Sequence, residues 1–326
     1  DKTLDLSFST ETFSTLQGWY STHGMGSDYK HGEQVGVWSD LSGGERHFDN
    51  SSGDPRVLLD GIKGRPVIAF DGNDLLWTSE NFDFLTESGY TILTLARYSG
   101  SSNRRVISSR DRNFLFGFHD GRTSRWHAEG WISLAGSTDT DWHLHVGKIE
   151  AKGGDPAATF RKDGQVVTSG HRGSHNTAFG PGILQIGGYR TNSEMSACEV
   201  AEVMIYDREL NDMEILQLEG YVVHKWELSN ELLSSSHPYF DNSPFGGSIE
   251  QKEKILIGGD RPVVKIFWGD EEVDSNSTEV DPGDDSKWDF VYEINSSNPV
   301  GIGTFRAEVD SLTQDTEYFY RAYAEI

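Results

Sequence analysis

Cysteine is almost absent: Cys198 stands alone, so no intramolecular disulfide can form, and stability must come from core burial or a bound metal. Following Ser196 and Ala197, it reads as a small buried residue rather than a nucleophile. Positive charge is also scarce, with 28 Lys and Arg against 52 Asp and Glu and a formal charge of −24. Such a field repels polyphosphate, which excludes nucleic acid as the expected partner. The acidity itself fits solvation at high salt, cation binding or a soluble secreted surface, and chooses among none of them. No apolar run approaches the ~18 residues needed to cross a bilayer. No charged-then-apolar leader stands at Asp1, and there is no initiator Met. We therefore expect a processed piece of a longer secreted or cell-surface protein whose targeting signal lies elsewhere.

Catalytic signatures are missing too. No HExxH run, CxxC pair, G-x-S-x-G elbow, P-loop or Rossmann fingerprint occurs in a strand-to-helix context. A retaining glycanase needs two carboxylates about 5 Å apart facing the sugar. The nearest acidic groupings are Glu199 with Glu202, and Asp281 with Asp284 and Asp285. The first has the wrong spacing and the second sits in an expected loop, so we expect no enzyme.

What is present suits a turn-rich β protein. The 326 residues, 35% hydrophobic and 12% aromatic with 36 Gly and 9 Pro, allow two domains of about 150 residues. From Thr91 onward, short runs alternate with period two and end in Gly, Asp, Asn or Ser. They are Thr91–Arg97, Arg105–Ser109, Phe114–His119, His143–Glu150, Ile183–Gly187 and Glu199–Tyr206. Between Ala158 and Thr168, Asp163-Gly164 predicts a type I′ hairpin. Asn211–Leu228 breaks the pattern, placing Ile215, Leu218, Val222 and Trp226 at helical spacing behind a capping box of Asn211 and Glu214. Gly220 inside that helix costs about 1 kcal/mol relative to Ala, which predicts close packing against the sandwich. Ser, Pro, Gly and charge from Ser234 to Gly259 predict a linker. Strands then recur at Val263–Trp268, Trp288–Ile294, Thr304–Val309 and Glu317–Ala324.

Several stretches in order carry a resemblance: LQGWYSTHG (16–24), VWSDLSGG (37–44), RPVIAFDGNDLLW (65–77), RWHAEGW (125–131) and EVAEVMIYDREL…LEGYVVHKWEL…SSHPY (199–239). Together they resemble the laminin-G-like, concanavalin A-type jelly rolls of large bacterial secreted and surface proteins. The resemblance covers about the first 240 residues and implies secretion and a binding or adhesive role. VVKIFWGD (263–270) and LTQDTEYFYRAYAEI (312–326) resemble a fibronectin-III-like repeat, with Leu312, Thr316 and Tyr318 at tyrosine-corner spacing. The chain ends before a last strand would be complete, which predicts an open edge. The expected fold class is thus all-β: a jelly-roll sandwich with one docking helix over residues 1–240, a linker over 241–261, and a small fibronectin-III-like sandwich over 262–326.

Two constellations are candidate sites. Asp71, Asn73 and Asp74 bring three oxygen-bearing side chains around Gly72, as a Ca²⁺ loop would, although an Asx turn uses the same residues. Asp40 is a weaker candidate of the same kind. Between Arg110 and Trp131, aromatic and basic residues mix. His119, Arg122, Arg125, Trp126 and Trp131 could stack and hydrogen-bond a glycan, while Phe114, Phe116 and Phe118 share the opposite, core-facing side. His143 and His145 share one strand face, but zinc needs three or four converging ligands. The expected partners are a glycan or surface polymer and neighbouring modules of the same protein. A stalk or filament segment and a polysaccharide-degrading enzyme are the alternatives.

Overall fold

The computed structural model describes residues 15–128, 130–151, 157–171, 180–244, 263–269, 290–294 and 319–325. They belong to two units, Asp1–Gly247 and Ser248–Ile326. Strands of the first unit are β1 (Leu16–Ser21), β2 (Glu33–Gln34), β3 (Phe48–Ser52), β4 (Arg56–Ile62), β5 (Arg65–Asp71), β6 (Leu75–Thr78), β7 (Tyr90–Tyr98) and β8 (Ile107–Ser109). They continue as β9 (Phe114–His119), β10 (Arg122–Ala128), β11 (Trp131–Leu134), β12 (His143–Ile149), β13 (Ala157–Lys162), β14 (Gln165–His171), β15 (Leu184–Ile186) and β16 (Ala197–Tyr206). Helices α1 (Leu85–Ser88), α2 (Asp212–Lys225) and α3 (Ser229–Leu232) complete the unit.

Antiparallel pairing assembles these strands into two sheets, giving the all-β sandwich that the alternation predicts. The nine-stranded sheet runs β14-β13-β12-β7-β16-β5-β4-β2 with β1 as its ninth strand paired to β16, and the seven-stranded sheet runs β11-β10-β9-β8-β15-β6-β3. One edge of β16 is shared: Ala197–Val200 pair with β5, and Glu202–Tyr206 pair with β1. Phe114, Phe116 and Phe118 are buried in one hydrophobic cluster, as expected from their alternation. Phe116 meets Phe160 of the opposite sheet with ring centroids 5.3 Å apart. Each such side chain contributes on the order of 1.5–3 kcal/mol by leaving water. The sheets approach so closely at Gly147 that a Cβ there would lie 2.6 Å from the Phe116 ring.

Six strands precede Thr91, where the alternation predicts none. In β1, Tyr20 enters the core while Trp19 is covered from the other side, so both faces are apolar and no period of two shows. The Asp163-Gly164 turn has φ of 51° and 73°, the left-handed pair a type I′ turn requires. Helix α2 begins with the predicted capping box: Glu214 N–H donates to Asn211 Oδ1 at 3.0 Å, and Asn211 N–H to Glu214 Oε2 at 2.7 Å.

The helix is held to the nine-stranded sheet by charge as well as burial. Lys225 Nζ lies 3.2 Å from Glu202 Oε1 with neither side chain exposed. The Trp19 and Trp226 indole N–H groups donate to the same carboxylate at 2.6 and 3.0 Å. Arg161 of β13 makes a two-pronged bond to Glu219 at 2.7 and 2.9 Å, and His237 Nε2 reaches Glu219 at 3.2 Å. Gly220 is a correction in detail: its close neighbours are Tyr239 and Pro244 of the segment after α3, not the sandwich.

Of the second unit, β17 (Val263–Gly269), β18 (Phe290–Ile294) and β19 (Phe319–Glu325) form an antiparallel sheet in the order β18-β17-β19. Most of the expected linker, the strand expected at Thr304–Val309 and the residues Leu312, Thr316 and Tyr318 lie outside the described residues.

Candidate functional site

The outer face of the seven-stranded sheet gathers most of the expected glycan-binding residues at its β9–β11 edge. Phe114, Phe116 and Phe118 point inward, which turns His119 outward. Trp131 on β11 is 39% exposed, its ring centroid 5.6 Å from His119 and 5.1 Å from His127 of β10. Arg125 shares this face, and its Nε has no acceptor among the described residues. Arg122 stands exposed at the β9–β10 turn, paired in register with His119.

The loop from β15 to β16 supplies a carboxylate. Glu194 Oε1 lies 3.7 Å from His119 Nε2, and its other oxygen accepts from Arg105 Nε. Arg105 is anchored by Asn113 Oδ1 at 2.9 Å and lies 4.0 Å from the Tyr189 ring centroid. Burial pushes the His119 pKa below its ordinary value, outweighing the pull of Glu194. A neutral imidazole, a carboxylate and a guanidinium beside an indole can together donate to and accept from sugar hydroxyls. Glu194 was not evident in sequence because it sits 75 residues from His119 in the chain and no local pattern marks it.

Trp126 is corrected. It has no exposed surface, and its ring packs 5.4 Å from Phe116 and 5.6 Å from Phe160. Ser124, at φ 59°, marks a bulge where the β9–β10 register shifts. The extra residue lets Thr123 and Trp126, three apart, both stand opposite core phenylalanines. A buried indole cannot stack a sugar.

At the sheet rim, Asp71 and Asp74 come together as expected, joined by Asp54 from the β3–β4 connection; their oxygens lie within 4.8 Å of one another. Asp74 is buried, accepting from Asp54 N–H at 2.8 Å and Asp71 N–H at 2.9 Å. Asn73 donates its backbone N–H to Asp71 Oδ1 at 2.8 Å, the Asx turn. Burial, aided by the charges of Asp71 and Asp54, raises the Asp74 pKa despite those backbone bonds. Asp40 serves the backbone, accepting from Trp19 N–H and Ser42 N–H at 2.9 Å each.

A separate cleft of about 540 Å³ opens beside the β13–β14 turn, with Lys63, Asp141, Trp142, His143, Asp163 and Glu231 on its walls. His143 bridges two carboxylates: Nδ1 to Asp163 at 2.8 Å and Nε2 to Asp139 at 2.7 Å. Burial opposes its charge, but the hydrogen bonds and charges of Asp163 and Asp139 win and raise its pKa. The neighbouring His145 is buried in the core, and desolvation holds it well below the ordinary value. It accepts from Ser124 N–H at 3.3 Å and stacks on Phe160, so the two histidines play separate structural parts.

No protein-family model matches the chain, and no curated protein matches it. Among solved structures it is similar to domain 4 of AbnA, an extracellular GH43 arabinanase from Geobacillus stearothermophilus solved in complex with arabinotriose. Identity there is 15% and TM-score 0.43, over 62% of this chain and 96% of that one. It is also similar to the binding domain of Paraclostridial Mosquitocidal Protein 1, at 15% identity and TM-score 0.44, over 64% of this chain and 52% of that one. Trypanosoma rangeli sialidase matches at 15% identity and TM-score 0.43, over 68% of this chain and 34% of that one. The chain thus spans about half of the toxin domain and a third of the sialidase. None of these likenesses assigns a role to a residue of this chain.

Proposed function

We propose that the chain is an extracellular, non-catalytic carbohydrate-binding and adhesion module of a larger secreted or surface protein, laminin-G-like in its first unit and fibronectin-III-like in its second. The observation that carries the reading is Trp131, exposed on a β-sheet face between His119 and His127, with Arg125 and Glu194 supplying donors and acceptors beside it. Sugar rings present apolar CH faces to an indole while their hydroxyls need fixed polar partners, and this face offers both. The rim carboxylates Asp54, Asp71 and Asp74 would supply hard oxygens to a Ca²⁺ ion, which takes six or more ligands from several loops. The second unit would join neighbouring modules of the same protein.

A glycan array followed by calorimetry with the best polysaccharide tests the proposal. Wild-type chain should bind, and Trp131→Ala and His119→Ala should each weaken binding by about tenfold, a typical loss for one stacking or hydrogen-bonding side chain. Unchanged affinity in both variants, or end-to-end self-association without sugar affinity, would refute it. So would time-dependent release of reducing ends, which would mean an enzyme.

A further inference from the structure

The cleft beside the β13–β14 turn lies apart from the Trp131 face, and its charges are nearly all spoken for. Lys63 pairs with Glu231 at 2.5 Å and Arg97 with Glu199 at 2.9 Å. Lys162 lies 3.9 Å from Asp163, and His143 takes Asp139 at 2.7 Å. Each of these cations therefore has a carboxylate. Asp141 is left over: it is exposed, lines the cleft, and its carboxylate meets no cationic side chain among the described residues. Its chain neighbour Trp142 is half-buried in the same wall, positioned by the Arg97 guanidinium 5.1 Å from its ring centroid.

We propose that this cleft is a second binding site, selective for an amine-bearing sugar unit, whose ammonium group would pair with Asp141 and whose ring would lie against Trp142. An ammonium near an indole and a single unbalanced carboxylate gains from both cation–π attraction and ion pairing, whereas a carboxylate-bearing sugar is repelled. The volume falls within the ~300–1,000 Å³ of small-molecule sites and admits one or two sugar rings. Buried Ile62, Leu228 and Leu232 add an apolar part to the lining.

Calorimetric titration of the full chain with D-glucosamine, D-glucose and D-glucuronate tests this. D-Glucosamine should bind most tightly and D-glucuronate least. Asp141→Asn, at an exposed position that leaves the fold intact, should weaken D-glucosamine by about two- to fivefold while leaving D-glucose unchanged. Trp142→Ala should weaken both sugars, and Trp131→Ala should leave the preference for D-glucosamine over D-glucose unchanged. Equal affinity for D-glucose and D-glucosamine, no binding of D-glucosamine, or an Asp141→Asn variant that binds it like wild type would overturn the assignment. Loss of D-glucosamine binding in Trp131→Ala would instead place that ligand on the outer sheet face. Failure of the glycan-array test would leave these outcomes untouched, so the two proposals fail separately.

Discussion

Removing the ammonium from the ion pair under α2 should be among the most damaging single changes in the first unit. In Lys225→Met, the Glu202 carboxylate would keep its indole donors at 2.6 and 3.0 Å but lose its countercharge among the described residues, at a site with no exposed surface. Breaking one side of a buried pair costs about 3–5 kcal/mol, because the surviving charge stays desolvated. A domain of this size gains a total of roughly 5–15 kcal/mol from folding, and each kcal/mol moves Tm by about 2–4 °C. The expected fall in Tm is therefore on the order of 6–20 °C. Glu202→Gln should cost a similar amount for the mirror reason, leaving the Lys225 ammonium with Ser21 Oγ at 2.9 Å and the faces of nearby aromatic rings. The double variant Glu202→Gln/Lys225→Met buries no charge and should be more stable than either single one. Urea titrations of the four proteins, followed by near-UV circular dichroism, read the three differences directly. A Lys225→Met cost below about 1 kcal/mol, or a double variant whose loss equals the sum of the singles, would refute the reasoning.

Trp126→Ala should lower stability by about 3–5 kcal/mol, as emptying a core ring site does, whereas Trp131→Ala should stay within roughly 0.5 kcal/mol; paired thermal melts separate them. Gly220→Ala would add helix propensity of about 1 kcal/mol but place a Cβ 2.5 Å from that of Tyr239, so a net loss of about 1–3 kcal/mol is expected in urea. His143, with its raised pKa, contributes clamp stability that is full below about pH 6.5 and is lost as pH rises through the folded value. His145, with its lowered value, acts oppositely and costs stability as pH falls below about 6.5. His143→Gln should therefore flatten the decline in urea midpoint just above about pH 6.5, leaving the acid decline and the loss at higher pH from buried Tyr20, Tyr206 and Cys198, whose pKa values burial raises. Millimolar Ca²⁺ should raise Tm in wild type and not in Asp54→Asn/Asp71→Asn, by calorimetry in chelated and Ca²⁺-loaded buffers.

The later strands were legible from local pattern: Phe114, Phe116 and Phe118 announce β9, and Asp163-Gly164 announces the turn between β13 and β14. In β16 every residue is buried, yet the strand was expected at Glu199–Tyr206; what stayed hidden was the role of Glu199 and Glu202, which read as acidic groupings until Arg97 and Lys225 are found beside them. Capping chemistry made the start of α2 visible, but nothing local shows that Gly220 makes room for Tyr239. The outer sheet face was half legible. His119 and Trp131 stand together as their strands imply, whereas the bulge at Ser124 turned Trp126 into the core, and Glu194 arrived on a distant loop. Asp54 joined Asp71 and Asp74 for the same reason, from a connection 17 residues upstream of Asp71 that no motif links to them.

The shared edge of β16 bears on the order in which this molecule can assemble. Leu16 pairs with Tyr206, and Gln17 Nε2 donates to Asp207 at 2.9 Å, so the opening strand finds its partner only after some 190 further residues have been made. Loops that long close slowly, and pairings between such remote segments delay the rate-limiting step of folding. During synthesis, β5 and β7 would wait with open hydrogen-bonding edges until β16 arrives to fill the gap between them. Ribosome-bound chains ending before Ala197 should accordingly remain protease-sensitive across β5 and β7, and acquire resistance in one step once β16 and α2 have emerged.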